Sequence, residues 1–191
     1  VQAKKTNKPY DRKVRPVTEG YLDRAALHYL GRFNSSKENL KRVLDRKVRR
    51  RNEDGGAPTG EQLGWIEAVA DKCVEYGYVD DVNYAKQRFA ALLRKGKPLR
   101  VISQDLVYKG VPEDIVADLM TSATDDPDKD LNLVAAAAYV RRRRFGPYRR
   151  VGAVEGKAEK EKAAMLRAGF PYRMVEQILA SSEEEILSLL N

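Results

Sequence analysis

Ser103–Met120 reads SQDLVYKGVPEDIVADLM. Its apolar residues and helix breakers spell two short helices meeting at a tight corner. Leu106 and Val107 close the first helix, and Gly110 is placed to take the left-handed conformation that ends it. Pro112 suits the first position of the next helix, where its missing N–H removes no bond. Glu113 and Asp114 fall in that helix's first turn, where the helix dipole favours negative charge. Ile115, Val116, Leu119 and Met120 then recur at helical spacing. The pattern returns later in the chain. Met165, Gly169, Phe170, Pro171, Met174, Val175 and Ile178 match Leu106, Gly110, Val111, Pro112, Ile115, Val116 and Leu119 position for position. A unit used at least twice predicts a repeat array.

Outward from that corner, every periodic segment is helical. A first helix from about Thr18 carries Leu22, Ala25, Ala26, Tyr29, Leu30 and Phe33 on one face. Ser35 and Glu38 read as a capping box for a second, whose apolar line is Leu40, Val43, Leu44 and Val48. Thr59 and Gln62 make another box before a third, with Leu63, Ile66, Val69, Ala70, Cys73 and Val74 as its stripe. An aspartate of YGYVDD (Tyr76–Asp81) opens a fourth, lined by Val82, Ala85, Phe89, Leu92 and Leu93. Pro98 and Pro112 start a fifth and a sixth. Asp125–Pro127 reads as the start of a seventh, lined by Leu131, Val134, Ala135 and Ala138. Residues 145–156 read as a loop, and an eighth and a ninth helix repeat the opening motif. Ser182 and Glu185 can cap a last short one. No stretch alternates as a strand does. The expected fold is all-α: three tandem three-helix repeats, about nine helices, in residues 18–79, 80–122 and 123–191. Val1–Val17, basic and without periodicity, reads as a disordered solubilising arm.

The totals narrow the function. Thirty-six Lys and Arg against 28 Asp and Glu leave a net +8, with a pI near 9.5. That balance suggests an anionic partner, nucleic acid or an acidic protein surface. One cysteine excludes an internal disulfide framework and fits a reducing cytosol. No apolar run approaches a membrane span, so a soluble, cytoplasmic chain is expected. Asn52–Gly60 is glycine-rich, but Glu61 and Gln62 follow where a phosphate loop needs Lys and Ser or Thr. Cys73 lies in an apolar stripe, where a structural thiol is expected. His28, the only histidine, has no ligand or nucleophile at recognisable spacing. No catalytic residue, metal site or cofactor is expected.

In its order of motifs the chain resembles the RecX regulators of the bacterial recombinase RecA. The resemblance rests on ALHYLGRFNSSKENLKRVLDRKV (Ala26–Val48), EYGYVDDVNYAKQRF (Glu75–Phe89), DLVYKGVPEDIV (Asp105–Val116) and MLRAGFPYRMVEQIL (Met165–Leu179). It spans essentially everything after residue 17. It implies a non-enzymatic protein of tandem three-helix repeats in an elongated, curved molecule. Such a protein associates with RecA and the RecA–DNA filament and restrains ATP hydrolysis, strand exchange and co-protease activity.

The candidate contact surface for RecA or DNA is basic. On the second helix Arg42, Arg46 and Arg49 point away from the apolar line, Arg50 belongs to the same basic run, and almost no acid is interleaved. Arg143, Arg144, Arg149 and Arg150 belong to a second acid-free cluster that begins at Arg141. Placing Ala138 at the centre of the seventh helix's buried side puts Arg143 and Arg144 on the far side and Arg142 at the apolar edge. Tyr139, Phe145 and Tyr148 lie among these arginines and could stack on bases, although packing is the expected use of Tyr139. Binding to single- and double-stranded DNA is expected to be weak and sequence-independent, and the protein monomeric. The competing expectation is a stand-alone DNA-binding protein of helix-turn-helix type.

Overall fold

The structure is a computed structural model, and it describes residues 16–126, 130–149 and 156–190. Among these residues there are ten α-helices, two short 3-10 helices and no strand. The helices are α1 (Glu19–Leu30), α2 (Lys37–Arg49), α3 (Gly60–Glu75), α4 (Asp81–Arg94), α5 (Leu99–Tyr108), α6 (Glu113–Thr124), α7 (Leu131–Arg143), α8 (Lys157–Ala168), α9 (Tyr172–Ala180) and α10 (Glu183–Leu190). The chain forms two units. One takes in the described residues up to Phe33 together with Leu40–Tyr78; the other takes in Asn34–Asn39 and the described residues from Val79 onward. Helix α2 therefore begins in the second unit and continues in the first.

In the first unit the Thr18 hydroxyl caps α1 by accepting from the Tyr21 N–H at 3.2 Å. The expected box at α3 is present, with Thr59 and Gln62 exchanging bonds at 3.2 and 3.0 Å. Val17, Leu22, Ala25, Ala26, Leu40, Val43, Leu44, Val48, Ile66, Val69, Ala70 and Cys73 supply the buried side chains. The α3 stripe is narrower than its sequence suggests: Leu63 and Val74, at its margins, are exposed.

The second unit is built on one corner used three times. After α5 the Val111 N–H bonds the Leu106 carbonyl (3.1 Å) and the Gly110 N–H bonds the Val107 carbonyl (2.8 Å). After α8 the Phe170 N–H bonds Met165 (3.2 Å) and the Gly169 N–H bonds Leu166 (3.0 Å). These are the crossed 6→1 and 5→2 bonds of the Schellman motif, with glycine at positive φ in each. Gly96 closes α4 in the same way, through Lys97 to Leu92 (3.1 Å) and Gly96 to Leu93 (2.8 Å). Each corner is Gly-x-Pro, and the proline is the residue before the next helix rather than its first. Its carbonyl then accepts the first helical bond, from Ile102, Val116 or Val175.

Two other caps differ from the expectation. Ser36, not Ser35, caps α2: its hydroxyl accepts from the Asn39 N–H at 3.1 Å and donates to the Lys109 carbonyl. Ser35 instead accepts from the Asn39 side chain. The N–H of Lys37 is taken by Asp81 at 2.8 Å. Helix α7 starts at Leu131 under Asp130, whose carboxylate accepts from Asn132 and Leu133. The expected start at Asp125–Pro127 lies partly outside the described residues, and Asp125 instead closes α6.

Helix α7 is the centre of this unit, touching α4, α5, α9 and α10. Ala135, Ala136, Ala137, Tyr139 and Val140 are buried, whereas Leu131, Val134 and Ala138 are only half-buried. The expected stripe through Ala138 therefore misplaces the buried side. Small alanines let neighbours approach from several directions, so no single face of α7 is the core face. Gly96 shows how close that approach is: a Cβ there would stand 2.4 Å from the Tyr139 backbone nitrogen.

Candidate functional site

In the first unit, burial of Leu40, Val43, Leu44 and Val48 forces the opposite side of α2 into solvent. Arg42, Arg46 and Arg49 are exposed there, and Arg50 is exposed just past the end of the helix. They are not equivalent. Arg49 is held by Asp45 one turn back, Nε to Oδ2 at 2.7 Å, and its pKa is raised by that hydrogen bond and charge. Arg46 and Arg50 have no ion pair among the described residues. The neighbouring Arg51 guanidinium lies over Tyr21, 3.5 Å from the ring centre.

In the second unit, Arg141, Arg142, Arg143 and Arg144 are exposed at the end of α7. The helix ends at Arg143, and Arg144 adopts φ 57, ψ 53, the left-handed region. It is the only described non-glycine residue with positive φ. The reason is local. The Phe145 N–H bonds the Val140 carbonyl (3.0 Å) and the Arg144 N–H bonds Arg141 (3.3 Å), so Arg144 stands where the other corners have glycine. Leaving the helix turns Arg144 off the helical wheel. Instead of lying with Arg143 on the far side, it joins Arg141, Arg142 and Arg94 around an open hollow of ≈ 600 Å³. Leu93, Val134, Ala138 and Leu190 complete the lining. Arg142 lies 6.0 Å from the Tyr139 ring centre, and Arg143 lies 5.6 Å from that of Phe145.

Arg149 is placed differently from the rest of its cluster. Its guanidinium clamps the buried Glu161, Nη2 to Oε2 at 2.7 Å and Nε to Oε1 at 3.1 Å. The same carboxylate accepts from the Gly146 N–H at 3.0 Å. Burial alone would raise the Glu161 pKa; the hydrogen bonds from Arg149 and Gly146 and the nearby positive charges outweigh it and hold it below the ordinary value of 4.5. Arg150 lies outside the described residues. Tyr139 is buried against Phe145 and Phe170, and Tyr148 is half-buried with its hydroxyl enclosed. Neither ring is presented for stacking on a base.

Arg94 is absent from the sequence candidates because only the fold brings α4 beside the end of α7. Exposed tyrosines also escaped the reading: Tyr76 and Tyr78 meet edge to face, and Tyr108 stands in solvent at the end of α5. Among the described residues no group of three His, Cys, Asp or Glu could hold a metal ion. His28 is exposed, and burial pushes the Cys73 thiol pKa up, which disfavours the reactive thiolate. No described helix is long and apolar enough to cross a membrane.

No family model matches the chain. Curated relatives do. The regulatory protein RecX of Myxococcus xanthus is 37% identical over 172 residues, 90% of either chain. That of Agrobacterium fabrum is 30% identical over 171 residues, 87% of this chain and 86% of its own. Among solved structures, RecX from Lactobacillus salivarius superposes with a TM-score of 0.52 at 20% identity, covering 89% of this chain and 97% of that one. A second RecX crystal structure gives 0.54 at 20% identity, over 85% and 72% of the two chains.

Proposed function

This chain belongs to the RecX family of regulatory proteins, and on that premise we propose that it binds RecA and the RecA–DNA filament and restrains them without catalysis of its own. The observation that carries the reading is the presence in both units of exposed arginines without a counter-ion among the described residues: Arg46 on α2 and Arg50 just past its end, and Arg141, Arg143 and Arg144 at the end of α7. Such groups offer favourable energy only to an external anion, a phosphate backbone or an acidic protein surface. Arg42 shares the α2 stripe, whereas Arg49 and Arg149 already answer carboxylates of their own chain and contribute less. The protein acts in the cytoplasm, where the filament forms, and as a monomer.

The helix-turn-helix reading is less well supported. At the α5–α6 corner the helix that would enter the major groove opens with exposed Glu113 and Asp114. Carboxylates there repel the phosphates flanking the groove.

The test is a titration of RecA ATP hydrolysis on single-stranded DNA. Inhibition at substoichiometric protein is expected. Binding to DNA alone is expected to weaken steeply with salt, and charge reversal of Arg46 and Arg50 should flatten that log–log dependence by roughly one unit per arginine. Unchanged RecA turnover at stoichiometric protein would remove the proposal. Discrimination between duplex sequences by several kcal/mol would revive the helix-turn-helix reading.

A further inference from the structure

The hollow at the end of α7 combines features that a phosphate-binding surface does not need. Its rim is four arginines, Arg94, Arg141, Arg142 and Arg144, none ion-paired to a described residue. Its floor is aliphatic, built from Leu93, Val134, Ala138 and Leu190. A volume of ≈ 600 Å³ falls in the range that accepts a bulky group rather than a lone ion. No aromatic ring among the described residues lines it, and the rings nearby are engaged: Tyr139 in the core, Phe145 against Tyr139 and beneath Arg143. Single-stranded nucleic acid is held by stacking bases on aromatic faces, which this floor lacks. A duplex presents phosphates on a convex rod and has no apolar group to send to the floor. Guanidinium forks pair with carboxylates two bonds at a time, and an aliphatic floor rewards an aliphatic side chain.

We propose that this hollow is the docking site for an acidic polypeptide segment of a partner protein, with carboxylates on the arginine rim and one leucine-like side chain on the floor. The proposal goes beyond the recombinase reading and does not need it, since it concerns the chemistry of the segment rather than the protein that supplies it. The left-handed Arg144 is part of the device: leaving the helix is what brings a fourth guanidinium to the rim.

The probe is a short fluorescein-labelled peptide of glutamates and aspartates with one central leucine. A serine-for-leucine version and labelled oligo-dT serve as controls, and all are read by anisotropy on the full chain at low salt. The leucine peptide should bind, and the serine version should bind roughly tenfold more weakly. The double reversal Arg94→Glu with Arg141→Glu should weaken the leucine peptide at least about tenfold, whereas Arg46→Glu with Arg50→Glu should not. Ala138→Leu fills the floor without changing charge and should abolish the difference between the two peptides; a melting curve for each variant confirms folding. The proposal is overturned if the leucine peptide does not bind, or binds the rim-reversed, folded variant as well as the parent. It is also overturned if oligo-dT binding is lost in that variant and competes the peptide away, which makes the hollow a nucleic-acid site. A last overturning result is concentration-dependent dimerisation abolished by the same reversal, which would assign the hollow to the Glu183–Glu185 segment of a second copy.

Discussion

Arg144 holds a backbone conformation that L-residues avoid by about 1–2 kcal/mol. Glycine does that work at three other corners of the same unit, so the arginine is kept there against local preference. Arg144→Gly should therefore stabilise the fold, by up to about 1 kcal/mol once the greater freedom of glycine in the unfolded chain is counted. The same change should weaken binding of an acidic ligand in the hollow. Denaturant unfolding and the peptide titration together read both effects. A destabilised Arg144→Gly variant would show that the side chain has packing value of its own. Glu161 makes the opposite kind of contribution. Its folded pKa lies below the ordinary 4.5, so its clamp on Arg149 and Gly146 is at full strength above that value and is lost as pH falls through the folded pKa. The melting temperature should drop over that acid range, and Glu161→Gln should lower it at neutral pH and flatten the acid dependence. A parent and variant that melt in parallel across the range would show that the ion pair adds nothing.

At the scale of elements, Gly96 and Gly77 separate two reasons for glycine. Both have positive φ, but a Cβ on Gly77 meets nothing within 4 Å, whereas one on Gly96 strikes the backbone of α7. Gly77→Ala should cost about 1 kcal/mol, the left-handed penalty alone. Gly96→Ala should cost clearly more, about 3 kcal/mol or beyond, because α4 and α7 must separate and open the core around Tyr139. Equal losses in chemical denaturation would show that the approach is soft. The contrast also explains what could be read from the sequence. Gly110–Pro112 and Gly169–Pro171 were legible because a Schellman corner is written in consecutive residues. The boxes at Thr59 and Ser182 were legible for the same reason. Arg144 broke the pattern by standing in a glycine's place, which hid the match of Val140, Arg144 and Phe145 to Leu106, Gly110 and Val111. The buried side of α7 was misjudged because a run of alanines has no periodicity to read. Arg94 could not be assigned to the rim from sequence at all, since 47 positions separate it from Arg141 and only tertiary packing joins them. The arginine pairs on α2 were legible as a face, but not the capture of Arg49 by Asp45.

At the scale of the whole molecule, the six residues Asn34–Asn39 carry polar links to residues far along the chain. Ser36 reaches Lys109, 73 positions on, and the Lys37 N–H reaches Asp81, 44 positions on. Ser36→Ala removes a helix cap and the donor to the Lys109 carbonyl in one step. A loss of about 1–2 kcal/mol is expected, together with faster hydrogen exchange at the Asn39 amide. Unchanged exchange there would show that water replaces the hydroxyl at no cost. The same links set a tempo for the protein's making. By the time Tyr78 has been synthesised every residue of the first unit exists, while the partners of Ser36 and Lys37 do not. At ordinary elongation rates Ser36 waits about 4–15 s for Lys109. The first turn of α2 is thus older than its partners, and on the ribosome it is the part of that helix that stays unfinished longest.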